Sequence, residues 1–326
     1  MPVRELPSKP YPDQKSGTAG LRKKVAVFQQ PHYLENFLQA IFDVESSLRG
    51  HTLIIGGDGR YHNREAIQTA VAMAAGNGVA KVIVGQGGIL STPAASTLIR
   101  IHNAAGGLLL TASHNPAGPD GDFGIKFNIA GGGQAPEALT GRIFEASKTI
   151  SRYRIFEGAH VDLDRRGTQT LGDTVIEVID CVDDYAKLQQ SLFDFDKIRD
   201  WFKRGGRICF DAMHAVTGPY ARRILIEQLG APVGSVINAS PLEDFGGGHP
   251  DPNLIYAKHL LDLAMSPESP DLIAASDGEL PVQTLLLAGV IVGLFFSAAI
   301  TVVISVVEFD RLGGIIHWML GNLRAV

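Results

Sequence analysis

Thr111-Ala112-Ser113-His114-Asn115-Pro116 sets a hydroxyl nucleophile beside an imidazole, directly after the apolar run Leu108-Leu109-Leu110. A serine on a loop at the carboxyl end of a buried strand stands where open α/β sheets place their ligands. His114 can donate a hydrogen bond or exchange a proton there, and Lys126 follows in Gly124-Ile125-Lys126-Phe127. From residue types alone two readings stay open: nucleophilic serine chemistry, or an ST-turn with His114 solvating a loop. Other chemistry has less support. His214, His249 and His317 have no partner at metal-ligand spacing, and Gly85-Gln86-Gly87-Gly88 is not followed by the Gly-Lys-Ser/Thr of a P-loop.

The elements that must hold these groups follow an α/β rhythm. Leu34, Phe37, Leu38, Ile41 and Phe42 make one apolar stripe on a helix. Leu53-Ile54-Ile55 reads as a buried strand feeding the tight loop Gly56-Gly57-Asp58-Gly59-Arg60. Helices are expected over Glu65–Ala75 and Thr92–Ala105, and strands at Lys81–Val84 and Gly107–Leu110. Continuous apolar strands alternating with helices imply a mixed or parallel sheet covered on both faces. After weaker signals from Gly131 to Asp184, a second α/β unit is expected: a helix over Asp183–Arg204, then strand Arg207–Phe210, helix Pro219–Leu229, helix Tyr256–Ala264 and strand Leu272–Ala275. The fold class is therefore α/β, with domains expected at 1–187 and 188–280, the second incomplete.

The 326 residues carry 29 Lys+Arg against 34 Asp+Glu, a net charge of -5, which gives no general attraction to phosphate backbones and argues against nucleic acid as a partner. Two distant cysteines, Cys181 and Cys209, read as buried thiols of a reducing compartment. The polar, Pro-interrupted amino terminus does not read as a secretory signal, so the chain is expected to begin in the cytosol. Val282–Val307 contains no charged residue; as a helix of about 39 Å it would exceed the roughly 30 Å hydrocarbon core of a bilayer. One transmembrane helix is expected there, tethering a cytoplasmic catalytic domain to the membrane, with an amphipathic tail of Ile315, Ile316, Trp318, Met319 and Leu320. Its orientation is ambiguous: Arg311 and Arg324 favour a cytosolic carboxyl terminus, whereas a leaderless folded domain favours a cytosolic amino terminus.

Thr111 through Glu137, TASHNPAGPDGDFGIKFNIAGGGQAPE, resembles the phosphoserine loop of the phosphoglucomutases, in the α-D-phosphohexomutase superfamily. Similar stretches are DQKSGTAGLRKKVAVF from Asp13, GGDGRYHNREAI from Gly56, GQGGILSTPA from Gly85 and FGGGHPDPNLIYAKHL from Phe245. The resemblance implies a mixed-sheet phosphohexomutase domain I and an incomplete domain II. It also implies a serine, here Ser113, that carries a phosphate between glucose 1-phosphate and glucose 6-phosphate, with glucose 1,6-bisphosphate as intermediate and activator. Arg22 and Lys126 are implied to contact substrate phosphate, and His114 and Lys126 to move protons. A Mg²⁺ site is implied on Ser113, Asp277 and Glu279. The family's Asp-Gly-Asp-Gly-Asp-Arg loop is incomplete here: Ser276-Asp277-Gly278-Glu279-Leu280-Pro281-Val282 lacks the third carboxylate and the arginine, so weaker binding is expected.

Nothing after Glu279 resembles the family's sugar-recognition loop or its distal phosphate cradle, and loss of these groups is expected to lower turnover as well as affinity. Pro281–Leu323 instead resembles a fragment of the permease subunits of ABC importers for iron-siderophore complexes and vitamin B12. The leading expectation is a phosphoglucomutase-type phosphotransferase impaired by this loss. Its competitors are a noncatalytic, membrane-tethered sugar-phosphate binding module and a fusion carrying a transporter fragment.

Overall fold

A computed structural model describes residues 3–17, 20–158, 160–253 and 255–278, which lie within one compact unit, Met1–Pro281. Glu279 and the stretch 281–326, including the expected transmembrane helix at 282–307, lie outside the described residues. Among those described, no helix is long and apolar enough to cross a membrane.

The chain opens with strands Val3–Pro7 (β1) and Leu21–Lys24 (β2) and helices Val25–Phe28 (α1) and Tyr33–Val44 (α2). Strands and helices then alternate: Thr52–Gly57 (β3), Asn63–Gly76 (α3), Lys81–Ile89 (β4), Thr92–Ile101 (α4) and Gly106–Leu110 (β5). Asp122–Ile129 (β6), Glu137–Ser147 (α5), Arg152–Phe156 (β7), Gly167–Leu171 (β8) and Thr174–Ile179 (β9) follow. The later part comprises Asp183–Leu192 (α6), Phe195–Lys203 (α7), Ile208–Asp211 (β10), Thr217–Ala221 (α8), Val236–Ile237 (β11), Lys258–Ala264 (α9) and Leu272–Ala275 (β12).

A seven-stranded sheet in the order β2-β6-β5-β3-β4-β9-β8 forms the main layer, with β5, β3, β4 and β9 parallel and β6 and β8 antiparallel to their neighbours. Its central strands are buried on both faces, as their continuous apolar runs require. All five residues of the expected α2 stripe are in the core. A separate three-stranded parallel sheet has the order β11-β10-β12. Tyr220 of α8 is buried; its hydroxyl accepts from Ser91 N at 3.2 Å, and its ring packs edge-on against Tyr185. Ser91 in turn caps α4, its Oγ accepting from Ala94 N.

Several expected bounds needed correction: the helix expected over Thr92–Ala105 ends at Ile101, and that expected from Tyr256 starts at Lys258. The helix read over Asp183–Arg204 is broken in two, because Phe193 is extended and the Asp194 carboxylate accepts from Lys197 N, starting α7 afresh. The helix read from Pro219 begins at Thr217 and continues from Arg222 to Gln228 as π-helical turns. Within the weakly patterned Gly131–Asp184 region, β8 and β9 form a hairpin closed by Gly172-Asp173, and the buried β9 joins the main sheet.

Cys209 is buried and Cys181 half-buried, and neither is in a disulfide. Burial, reinforced by the adjacent Asp180 carboxylate, pushes the Cys181 thiol up to about 11. Because the thiolate is the nucleophile, Cys181 in the folded chain should alkylate on the order of a hundredfold more slowly at pH 8 than in the unfolded chain. Iodoacetamide labelling followed by peptide mass spectrometry checks this; equal rates would contradict the burial.

Candidate functional site

Ser113 lies just past the end of β5 with φ at 56°, a left-handed conformation uncommon for a residue with a side chain. Its surroundings over-determine that conformation. Ser113 N donates to Thr111 Oγ1 at 2.9 Å, and Thr111 Oγ1 donates to Asp58 Oδ2 at 2.6 Å. The neighbouring loop, after β3, supplies Arg60. Its Nη2 donates to the Ser113 carbonyl at 2.7 Å, its Nη1 to the Asp122 carbonyl at 2.8 Å, and its Nε to both Asp58 oxygens at 3.1 and 2.9 Å. Asp58 and Arg60 are each only 1% exposed. Strain held in this way is characteristic of functional loops.

From the other sheet, the carboxyl end of β12 delivers Asp277. Ser113 Oγ donates to Asp277 Oδ2 at 2.8 Å, across 164 residues of chain, and His114 Nδ1 stands 4.0 Å from the same oxygen. Two contacts fix the backbone around Asp277. Ser276 N donates to the Asp211 carbonyl on the neighbouring β10, and Gly278 N to the Pro250 carbonyl. The Ser276 hydroxyl is buried against Thr217 Oγ1. A Cβ on Gly278 would lie 2.3 Å from the Ser113 carbonyl oxygen. Gly278→Ala must therefore push the Asp277 loop away from Ser113, and we expect it to cost about 1–3 kcal/mol of stability, read as a lower melting temperature by differential scanning fluorimetry.

Arg22 and Lys126 come from the sheet edge. In the antiparallel β2–β6 pair Arg22 faces Gly124, so Arg22 and Lys126 share one face of the sheet. Gly124 is required there: a Cβ would meet the Thr111 carbonyl at 2.3 Å and Arg22 Cγ at 3.1 Å. Lys126 is 6% exposed. Arg22 Nε is buried with no hydrogen-bond partner among the described residues, an open donor of the kind an anion would satisfy. Ser113, His114 and Asp277 are thus brought together, Arg22 and Lys126 lie on a common face, and Glu279 is outside the described residues.

The donor set suits a hard cation in part. Mg²⁺ is usually held by one or two carboxylates plus phosphate oxygens and retains several waters, and Ser113 Oγ with Asp277 Oδ2 are oxygens of that kind. Among the described residues no group of three or more His, Cys, Asp or Glu gathers to hold a metal. The sequence reading missed the residues that shape the site: Asp58, Arg60, Thr111, Thr217 and Ser276. The one available signal was Asp58-Gly59-Arg60, opposite charges on a glycine turn directly after an apolar strand.

Residues 13–154 match the model of the phosphoglucomutase/phosphomannomutase α/β/α domain I. The chain is 57% identical over 277 residues to a phosphoglucomutase of Rhizobium radiobacter, covering 85% of this chain and 51% of that protein. It is 50% identical over 280 residues to a phosphoglucomutase of Schizosaccharomyces pombe, covering 85% of this chain and 50% of that protein. The crystal structure of parafusin, a phosphoglucomutase from Paramecium, in its open form, superposes with a TM-score of 0.80 at 44% identity, covering 85% of this chain and 53% of that one. The chain spans about half the length of the curated relatives it matches. These matches lend no support to the expected permease resemblance of 281–323, which lies outside the described residues. Over the 277 residues aligned to the bacterial relative, the chain is similar to the phosphoglucomutase/phosphohexomutase family, with residues 13–154 matching its domain I.

Proposed function

We propose that this chain performs phosphoryl transfer of the phosphoglucomutase type, interconverting glucose 1-phosphate and glucose 6-phosphate through a phosphate carried on Ser113 and glucose 1,6-bisphosphate. The observation that carries the proposal is the 2.8 Å hydrogen bond from Ser113 Oγ to Asp277 Oδ2, made by a serine whose backbone is otherwise fully engaged. We assign the first domain to 1–187 and the incomplete second to 188–280.

In the charging step the Ser113 oxygen attacks a phosphorus of the bisphosphate, the bond from that phosphorus to the sugar oxygen breaks, and the hydroxyl proton is given up to water. The departing sugar oxygen takes a proton from Lys126 or His114. The return step reverses each of these, moving the phosphate to the other sugar hydroxyl. A loose phosphoryl-transfer transition state asks mainly for position and positive charge, and Arg22 would contact a phosphate with its planar guanidinium. Ser113, Asp277 and Glu279 would hold Mg²⁺, which when bound neutralises charge on the phosphoryl oxygens. The expected membrane tether through 282–307 lies outside the described residues.

The test supplies the full chain with glucose 1-phosphate, a trace of glucose 1,6-bisphosphate and Mg²⁺ and follows glucose 6-phosphate by enzymatic coupling. Bisphosphate-dependent formation is expected. A stable phosphate on Ser113 without product would instead favour the noncatalytic sugar-phosphate module, and neither product nor phosphate would overturn the proposal.

A further inference from the structure

The segment after β11 folds over the loop that carries Arg60. Tyr61 N donates to the Glu243 carbonyl at 2.7 Å, and the Phe245 ring lies over Arg60, its centroid 5.3 Å from Cζ. Phe245 is 2% exposed and has φ at 54°, followed by Gly246 and Gly247 at 68° and 73°. A glycine would adopt this backbone without strain, so a phenylalanine here requires a compensating use of its ring. The turn is secured on its own account: Asp244 Oδ1 accepts from Gly246 N, Phe245 N donates to the Leu242 carbonyl, and Leu242 N to the His214 carbonyl.

The Arg60 guanidinium is used in two directions. It donates to Asp58, to the Asp122 carbonyl and to the Ser113 carbonyl, while its Cζ lies over the aromatic ring. A planar cation can make both sets of contacts at once, and attraction between a buried cation and the ring face adds to the packing. We infer that Phe245 is a positioning residue for Ser113: it fixes the plane of the arginine whose Nη2 holds the Ser113 carbonyl, and so the left-handed turn that presents Oγ to Asp277. Its kinetic consequence rests on the proposed Ser113 chemistry; its structural consequence does not.

The test compares full-length wild type with Phe245→Leu, Phe245→Tyr and a chain carrying pentafluorophenylalanine at 245, which keeps the ring's shape but reverses the charge of its face. Amide hydrogen exchange of peptides spanning 111–122 and the rate at which Ser113 takes label from glucose 1,6-bisphosphate are read alongside the melting temperature. We expect about tenfold faster local exchange and about tenfold slower labelling in the leucine and fluorinated chains, near-wild-type behaviour in the tyrosine chain, and unchanged exchange in β1 and β7. Wild-type exchange over 111–122 in the fluorinated chain overturns the role of Phe245, whether or not the leucine variant folds. If wild type takes no label yet the exchange pattern holds, the positioning role stands and the proposed reaction fails.

Discussion

Ser113→Ala is expected to reduce transfer of label from glucose 1,6-bisphosphate to the protein by about a thousandfold or more, to background, because it removes the only oxygen proposed to accept the phosphoryl group. The accompanying loss of stability should be small, on the order of 1 kcal/mol, since the change deletes one hydrogen bond to Asp277, whose side chain retains 12% exposure to water. That separation of activity from stability is the informative part of the result. Ser113→Thr sharpens it. Threonine keeps the hydroxyl but places a β-branched side chain at φ 56°, so the loop must either distort or hold the new side chain under strain. Labelling of the threonine variant is expected to fall about tenfold or more while far-UV circular dichroism remains that of wild type. Labelling at the wild-type rate would mean that the left-handed turn is not what presents the oxygen.

The second large effect is expected at Arg60. Arg60→Ala would leave the Asp58 carboxylate buried without its cation, and would strip donors from three carbonyls, those of Ser113, Asn115 and Asp122. Breaking one side of a buried pair costs about 3–5 kcal/mol, which lowers the melting temperature by about 10 °C in a domain of this size. Arg60→Lys retains the charge but cannot reach three acceptors in one plane, so it should recover part of the stability and little of the labelling rate. In a double-mutant cycle, the pair Asp58→Asn with Arg60→Ala should be more stable than Arg60→Ala alone, because no buried charge is then left unpaired. Differential scanning fluorimetry checks each of these. A Arg60→Ala chain that melts with wild type would show that the pair contributes nothing to the loop.

The main-sheet elements were legible because their signals are local. The α2 stripe repeats at helical spacing, and β3, β4 and β5 are short apolar runs bounded by glycine, so periodicity and punctuation reveal them. β4 nevertheless runs to Ile89, past the expected Val84, through glycines that fit because a Cβ on Gly85 would collide with the Ile89 carbonyl. The break at Phe193-Asp194 was hidden because the apolar spacing continues across it while one capping carboxylate restarts the helix. Within the site, Ser113, His114, Lys126 and Asp277 stood out by chemistry and strand position. The groups that orient Ser113 did not. Arg60 and Asp58 look like a solvated turn in sequence, and their 1% exposure is produced by packing against β5, β6 and Phe245, which no local pattern records. The Ser113–Asp277 contact spans 164 residues, a long-range result that spacing alone does not encode.

The most direct measurement of the central claim is peptide mass spectrometry of the full chain after incubation with glucose 1,6-bisphosphate labelled with ¹⁸O in its phosphates, with and without Mg²⁺. A labelled phosphate is expected on Ser113, faster with Mg²⁺, and none on the Ser113→Ala chain. An unmodified Ser113 in folded wild-type protein, or label that persists elsewhere when Ser113 is replaced, would contradict it.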